Sequence, residues 1–251
     1  GLEAEGLRPL LAHLPAGRYG RAALGRRREH PVEAAVLISA AVHPAVARAL
    51  HAAGVAVVQV LAPQPAQPDG ALVSVSEVGA GREAARLLLA RGYRRLGFVG
   101  GPEGVQPTRD RFAGFRNLGE RQGGEVTAAF APAMGYAEGQ AALRELLSRG
   151  GAEAYFCADD RLAIGALAAL REAGLRVPED AGVLGLGGME AGGWTGIGLT
   201  TLAPPQEEMA EATVALALGA IRGDGGTERV RRFDCRLVER GTLRPPRPRP
   251  S

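Results

Sequence analysis

Short apolar runs alternate along this chain with longer stretches in which apolar residues return every three to four positions. The runs are Leu7 to His13, Ala34 to Ser39, Val55 to Val60, Leu72 to Val75 and Leu96 to Val99, each of a length that suits a buried strand. Between them helical periodicity holds from Pro44 to Ala53 and from Glu77 to Arg91. A glycine, Gly54 or Gly92, follows each stretch where a left-handed φ ends a helix. The second half keeps the rhythm, with helix Pro107 to Arg121, a short strand near Ala128, helix Tyr136 to Ser148, strand Glu153 to Cys157, helix Asp160 to Ala173 and strand Gly182 to Leu186. Uninterrupted strands such as Ala35-Val36-Leu37-Ile38 suit parallel sheets covered by helices on both faces, so the pattern predicts an α/β fold built of βαβ units.

After Leu199-Thr200-Thr201 the alternation stops. One long helix, Gln206 to Ile221, is followed by a glycine-rich turn, Gly223 to Gly226, and an arginine-rich strand, Arg229 to Val238. A helix and strand without partners of their own fit best if the chain returns to complete a first lobe and then edges a second. The predicted lobes are therefore discontinuous, 1–93 with 204–232 and 94–203 with 233–243. Residues 244–251, with their repeated Pro-Arg pairs, are expected to form an extended, exposed tail.

Composition removes several classes of function. Hydrophobic residues make up 46% and charged residues 23% of 251, a globular balance, and no apolar run reaches membrane-spanning length. Aromatic residues are only 4%, too few for the stacking platforms of single-stranded nucleic-acid binders, and elements must pack through small side chains. Every one of the 30 basic residues is arginine, yet the net charge is only +3, which is no nucleic-acid footprint by itself. Cys157 and Cys235 lie in apolar, strand-like runs and are expected to be buried, reduced thiols, which points to a cytoplasmic setting. No positively charged start with an apolar core opens the sequence. The four histidines, His13, His30, His43 and His51, have neither a nucleophile partner nor metal-ligand spacing. Gly100-Gly101-Pro102-Glu103-Gly104 is neither a P-loop nor a dinucleotide fingerprint, so no catalysis, metal or cofactor is expected.

Three stretches carry a family resemblance. The first is Ala90-Arg91-Gly92-Tyr93-Arg94-Arg95-Leu96-Gly97-Phe98-Val99-Gly100-Gly101-Pro102, continued by Arg109-Asp110-Arg111-Phe112-Ala113-Gly114-Phe115. The second is Phe156-Cys157-Ala158-Asp159-Asp160-Arg161-Leu162-Ala163-Ile164-Gly165, running on to Val183-Leu184-Gly185. The third joins Leu199-Thr200-Thr201 to Leu237-Val238-Glu239-Arg240-Gly241-Thr242. In this order, from about Leu7 to Thr242, they resemble the lactose-repressor/galactose-repressor (LacI/GalR) family of transcriptional regulators. The resemblance implies a periplasmic-binding-protein-like fold: two flavodoxin-like lobes with parallel sheets, three crossing strands and a small-molecule cleft between the lobes. It also implies a homodimer whose effector controls operator DNA binding through a separate helix-turn-helix headpiece. Gly1 to Gly6 resembles the end of the first lobe's first helix, so headpiece, hinge and opening strand are expected to lie outside this sequence. A solute-binding protein of a transport system shares the fold and is the alternative.

The same resemblance supplies a candidate site. Arg111 matches the family's effector-contacting arginine, whose fork suits carboxylate or hydroxyl groups; otherwise it would pair on the surface with Asp110 or Glu103. Asp159 matches a ligand-contacting position at a strand end, while Asp160 reads as the N-cap of the next helix. Gly187 stands where the family commonly has an acid, Met134 where it often has an aromatic ring, and Ser39 closes the first lobe's strand as a further contact. Ser76 and Pro204 likewise replace an acid and a glutamine. A cleft with one arginine and few carboxylates implies an anionic or partly apolar effector rather than a neutral sugar, or a core that has lost small-molecule sensing.

Overall fold

The structure, a computed structural model, describes residues 6, 8, 32–38, 44–62, 70–223 and 229–246. Apart from Arg8, the predicted strand Leu7 to His13 lies outside the described residues, as do the candidate Ser39 and the tail beyond residue 246. In chain order the elements are β1 (Ala34–Ile38), α1 (Pro44–Ala52), β2 (Ala56–Val60), β3 (Ala71–Val75), α2 (Glu77–Ala90), β4 (Arg95–Gly100), α3 (Gln106–Arg121) and β5 (Glu125–Phe130). Then follow α4 (Tyr136–Ser148), β6 (Ala154–Cys157), α5 (Asp160–Glu172), β7 (Gly182–Leu186), β8 (Thr200–Ala203), α6 (Gln206–Arg222), β9 (Val230–Phe233) and β10 (Arg236–Val238).

These elements fall into two units, Gly1–Val75 with Pro205–Phe233 and Ser76–Pro204 with Asp234–Ser251. The first holds a parallel sheet in the order β1-β2-β3-β9. Its core gathers Leu37, Val46, Ala47, Leu50, Val55 and Val57, so that one face of β1 packs on α1. The second holds a six-stranded sheet in the order β10-β8-β7-β6-β4-β5, parallel except for β10. Here β4, β6 and β7 are buried almost throughout, as the unbroken apolar runs require. Phe98, Phe156, Leu184 and Leu202 face a core shared with α2 and α3. Val99, Tyr155, Cys157 and Val183 face a core shared with α4 and α5.

Small residues decide how closely the covering helices approach. A Cβ on Gly81 would strike the Arg111 carbonyl and one on Gly114 the Val78 carbonyl, so α2 and α3 cross backbone to backbone. The same reciprocal contact joins α4 to α5, where Gly139 meets Leu162 and Gly165 meets the Tyr136 carbonyl. The scarce aromatics are pooled rather than spread. Phe98 has four phenylalanine rings, Phe112, Phe115, Phe130 and Phe156, at centroid distances of 5.1–5.9 Å, and such pairs add about 0.5–1.5 kcal/mol each beyond their burial.

Four expectations are corrected. The boundary predicted at 93/94 falls at Val75/Ser76, because α2 buries Ala80, Ala84 and Leu88 in the second unit's core. The single strand expected from Arg229 to Val238 is two strands in two sheets, parted at Asp234-Cys235, since the run serves both units in turn. Cys235 therefore lies between strands rather than in one. The tail is not free from its first residue: Arg244 stacks 4.8 Å from the Tyr93 ring centroid, its backbone N donates to the Tyr93 hydroxyl at 3.0 Å, and its Nη2 donates to the Glu179 carbonyl at 2.7 Å.

Candidate functional site

Chain order in the second sheet reverses at β4. The chain leaves β4 for β5 on one side and returns to lay β6 on the other, so the loops after β4 and β6 diverge at the carboxyl edge, the place where open α/β sheets bind their ligands. Four of the five candidate residues lie in or beside the segments that form this edge. Met134 follows β5, Asp159 follows β6, Gly187 follows β7, and Arg111 stands on α3, which the β4 loop feeds.

Arg111 is tied down at the switch point itself. Its Nη1 donates to the Ala158 carbonyl at 2.7 Å, the residue just past β6, while Nε and Nη2 form a two-point ion pair with Glu77, the Nη2–Oε1 distance being 3.1 Å. The surface pairs with Asp110 or Glu103 do not form; Asp110 instead accepts from Gln106 Nε2 at 3.3 Å. Only 13% of the Arg111 side chain and 14% of that of Glu77 remain exposed. The guanidinium is thus aimed, nearly buried and charge-balanced, with two of its five N–H donors uncommitted among these contacts. Glu77 was not singled out from sequence. Its only signal was an acid in the first turn of a helix, which dipole complementarity alone explains.

The two adjacent acids are held differently. Asp159 is the N-cap of α5, accepting from Arg161 backbone N at 2.8 Å and from the Arg161 guanidinium at 3.0 and 3.2 Å. Asp160, expected as the cap, is fully buried. Its Oδ1 accepts from the Thr201 hydroxyl at 2.6 Å and its Oδ2 from Met189 backbone N at 2.7 Å, so it clamps the ends of β7 and β8 together. Burial raises its pKa, and the Thr201 and Met189 hydrogen bonds oppose that rise. Sequence reasoning took Asp160 for the cap and missed this buried structural role.

The other two candidates shape the edge. Gly187 has φ +140° and donates its N–H to the Leu202 carbonyl at 2.9 Å, presenting backbone where an acid was expected. Met134 lies against Gly101, where any Cβ would overlap its thioether, so a flexible apolar chain lines the β4 loop. Cys157, fully buried at the end of β6, has its thiol pKa pushed far up by burial, and Cys235 is pushed up to about 12 by the same cause. Neither thiol is a nucleophile at neutral pH. Among the described residues no group of three or more His, Cys, Asp or Glu side chains could hold a metal ion, and no helix is long and apolar enough to cross a membrane.

Known proteins share this architecture. The periplasmic binding protein-like domain family matches residues 85–243. The transcriptional repressor CytR of Escherichia coli is 30% identical over 176 residues, covering 68% of this chain and 51% of the relative. A LacI transcriptional regulator from a Rhodococcus species superposes with a TM-score of 0.82 at 25% identity, covering 96% of this chain and 89% of the other. The transcriptional regulator CelR in complex with cellobiose superposes with a TM-score of 0.78 at 27% identity, covering 91% and 71%. The chain spans about half the length of the curated relatives it matches.

Proposed function

The chain belongs to the periplasmic binding protein-like domain family, and from that premise we propose that it is the effector-sensing and dimerisation core of a LacI-type transcriptional regulator. In this reading it works in the cytoplasm and controls DNA binding by another part of the full protein. The observation that carries the reading is the aimed arginine: Arg111 is fixed by Glu77 and Ala158 at the switch point of a sheet whose whole architecture follows regulator cores. The relatives bear regulator names, which favours this reading over a transport protein and over an enzyme.

The effector binds at the carboxyl edge of the second unit's sheet, with Arg111 donating to it and Gly187 and Met134 shaping its bed. An anionic or partly apolar effector was the expectation for a cleft with one arginine and few carboxylates. Glu77 opposes the charge of that arginine, so the reading commits to a polar small molecule held through hydrogen bonds, as the cellobiose complex of CelR illustrates for a neutral sugar. Self-association is supported by α6, where Ala215 and Ala220 are exposed and Val214, Leu218 and Ile221 half-buried among the described residues.

A thermal-shift screen that sets neutral mono- and disaccharides beside carboxylated and phosphorylated metabolites tests the site. At least one class is expected to raise Tm, and Arg111→Ala should weaken that ligand by about 2–4 kcal/mol, the cost of removing a desolvated charged donor. Arg111→Lys, which keeps charge but loses the fork, should fall between. Binding indifferent to both changes, or no stabilisation by any class, overturns the assignment. Sedimentation equilibrium at micromolar concentration should show a dimer.

A further inference from the structure

The second unit has another opening, at the end of its sheet opposite the candidate effector site. Strands β7 and β8 begin there and β10 ends there, so the walls are residues 174–177, 196–198 and 241–242. The groove holds about 600 Å³, inside the span of roughly 300–1,000 Å³ usual for small-molecule sites. Leu167, Leu175, Val177 and Ile197 make its floor apolar.

Two arginines border it, and they differ. Arg176 is engaged by Asp180 through Nε at 2.7 Å and Nη2 at 2.8 Å, so its charge is already met. Arg171 donates through Nη2 to the Gly196 carbonyl, which fixes the guanidinium at the groove wall, and among the described residues no carboxylate pairs with it. An apolar floor beside a positioned cation without a counterion is complementary to a small anion with an apolar body. Carboxylate matches the guanidinium fork, and branched or aromatic carbon matches the floor.

We propose that this groove is a second small-molecule site, taking a monocarboxylate with an apolar body whose carboxylate lies on Arg171 and whose body lies on Leu175, Val177 and Ile197. The assignment rests on the groove alone and is independent of the effector reading. Its wall is also the end of the β7–β8 connection. That connection starts at Gly187, where Asp160 holds Met189, and finishes at residues 196–198, so an occupant touches a segment anchored at both edges of the sheet.

Trp194 opens the turn that forms this wall. Its carbonyl accepts from Ile197 N at 2.9 Å and Gly198 N at 3.3 Å, the residue is 60% exposed, and it is the chain's one tryptophan. Titration of the full chain with benzoate and isovalerate is therefore followed by Trp194 emission and by the amide NMR shifts of Ile197 and Gly198. Saturable changes are expected with both acids. The matched amides, benzamide and isovaleramide, should bind at least tenfold more weakly, as should both acids to Arg171→Gln. Arg111→Ala should leave the titration unchanged. The proposal is overturned by the absence of saturable change in both readouts, by acids and amides binding alike, by Arg171→Gln binding like the parent, or by loss of the response in Arg111→Ala.

Discussion

Asp159 and Asp160 are neighbours of one residue type, and their environments give them opposite work. Asp159 stays half-exposed on its cap, where the Arg161 amide and guanidinium take its lone pairs. Asp160 points inward beneath Thr201 and Met189, and both of its oxygens accept hydrogen bonds, the one from Thr201 being fully buried. Asp160→Asn turns one acceptor into an N–H facing another donor, so it should lower unfolding stability by about 1–3 kcal/mol. The pH dependence has a definite sign. Because burial raises the folded-state pKa, the carboxyl's contribution is full at and below its unfolded value, about pH 4. It declines as pH rises through the raised value. The gap between parent and Asp160→Asn in urea melts should therefore be widest near pH 4 and narrow upward. A gap that widens with pH would show that hydrogen bonding to the ionised form dominates instead.

Helix crossings are decided at the scale of elements. The glycines of α2 to α5 look like helix weaknesses when taken singly, since alanine would gain up to about 1 kcal/mol of propensity at such positions. In the structure Gly165 faces the Tyr136 carbonyl and Gly81 the Arg111 carbonyl, and in each case a backbone atom occupies the space a methyl group needs. Backbone cannot rotate away as a side chain can, so overpacking outweighs propensity. Gly165→Ala should cost about 1–3 kcal/mol in the urea midpoint. Gly81→Ala should cost as much and also disturb Arg111, whose own carbonyl it strikes, so effector affinity should fall with it. Stabilisation by either change would mean that the helices part freely.

At the scale of the whole molecule the described parts of the two units carry unequal cores. In the second, β6 is central, flanked by β4 and β7 and buried at every residue. In the first, β1 pairs only with β2 among the described residues, and Ile38 is 66% exposed. Local opening is easiest where few apolar contacts must break. Native-state hydrogen exchange should therefore be slowest at residues 154–157 and markedly faster at 34–38, and equal protection of the two strands would contradict this ranking.

Periodicity alone determined most of the elements, to within one or two residues at their ends, because period-two and period-3.6 burial leave different marks on a sequence. The α/β class and the second unit's strands were legible for that reason, and the family motifs placed Arg111, Met134, Asp159 and Gly187 beside one sheet edge. What periodicity cannot hold is which sheet a strand joins or which of two adjacent acids turns inward. The run from Arg229 to Val238 reads as one strand, yet β9 pairs with β3 and β10 with β8, a choice made by distant partners. Helix α2 reads as part of the first lobe, yet Gly81 and Gly114 let it close on α3 and carry Glu77 to Arg111. Those contacts, Gly81 with Arg111, Gly114 with Val78 and Arg111 with Glu77, span 30, 36 and 34 positions, and only the packed chain brings such residues within reach of one another.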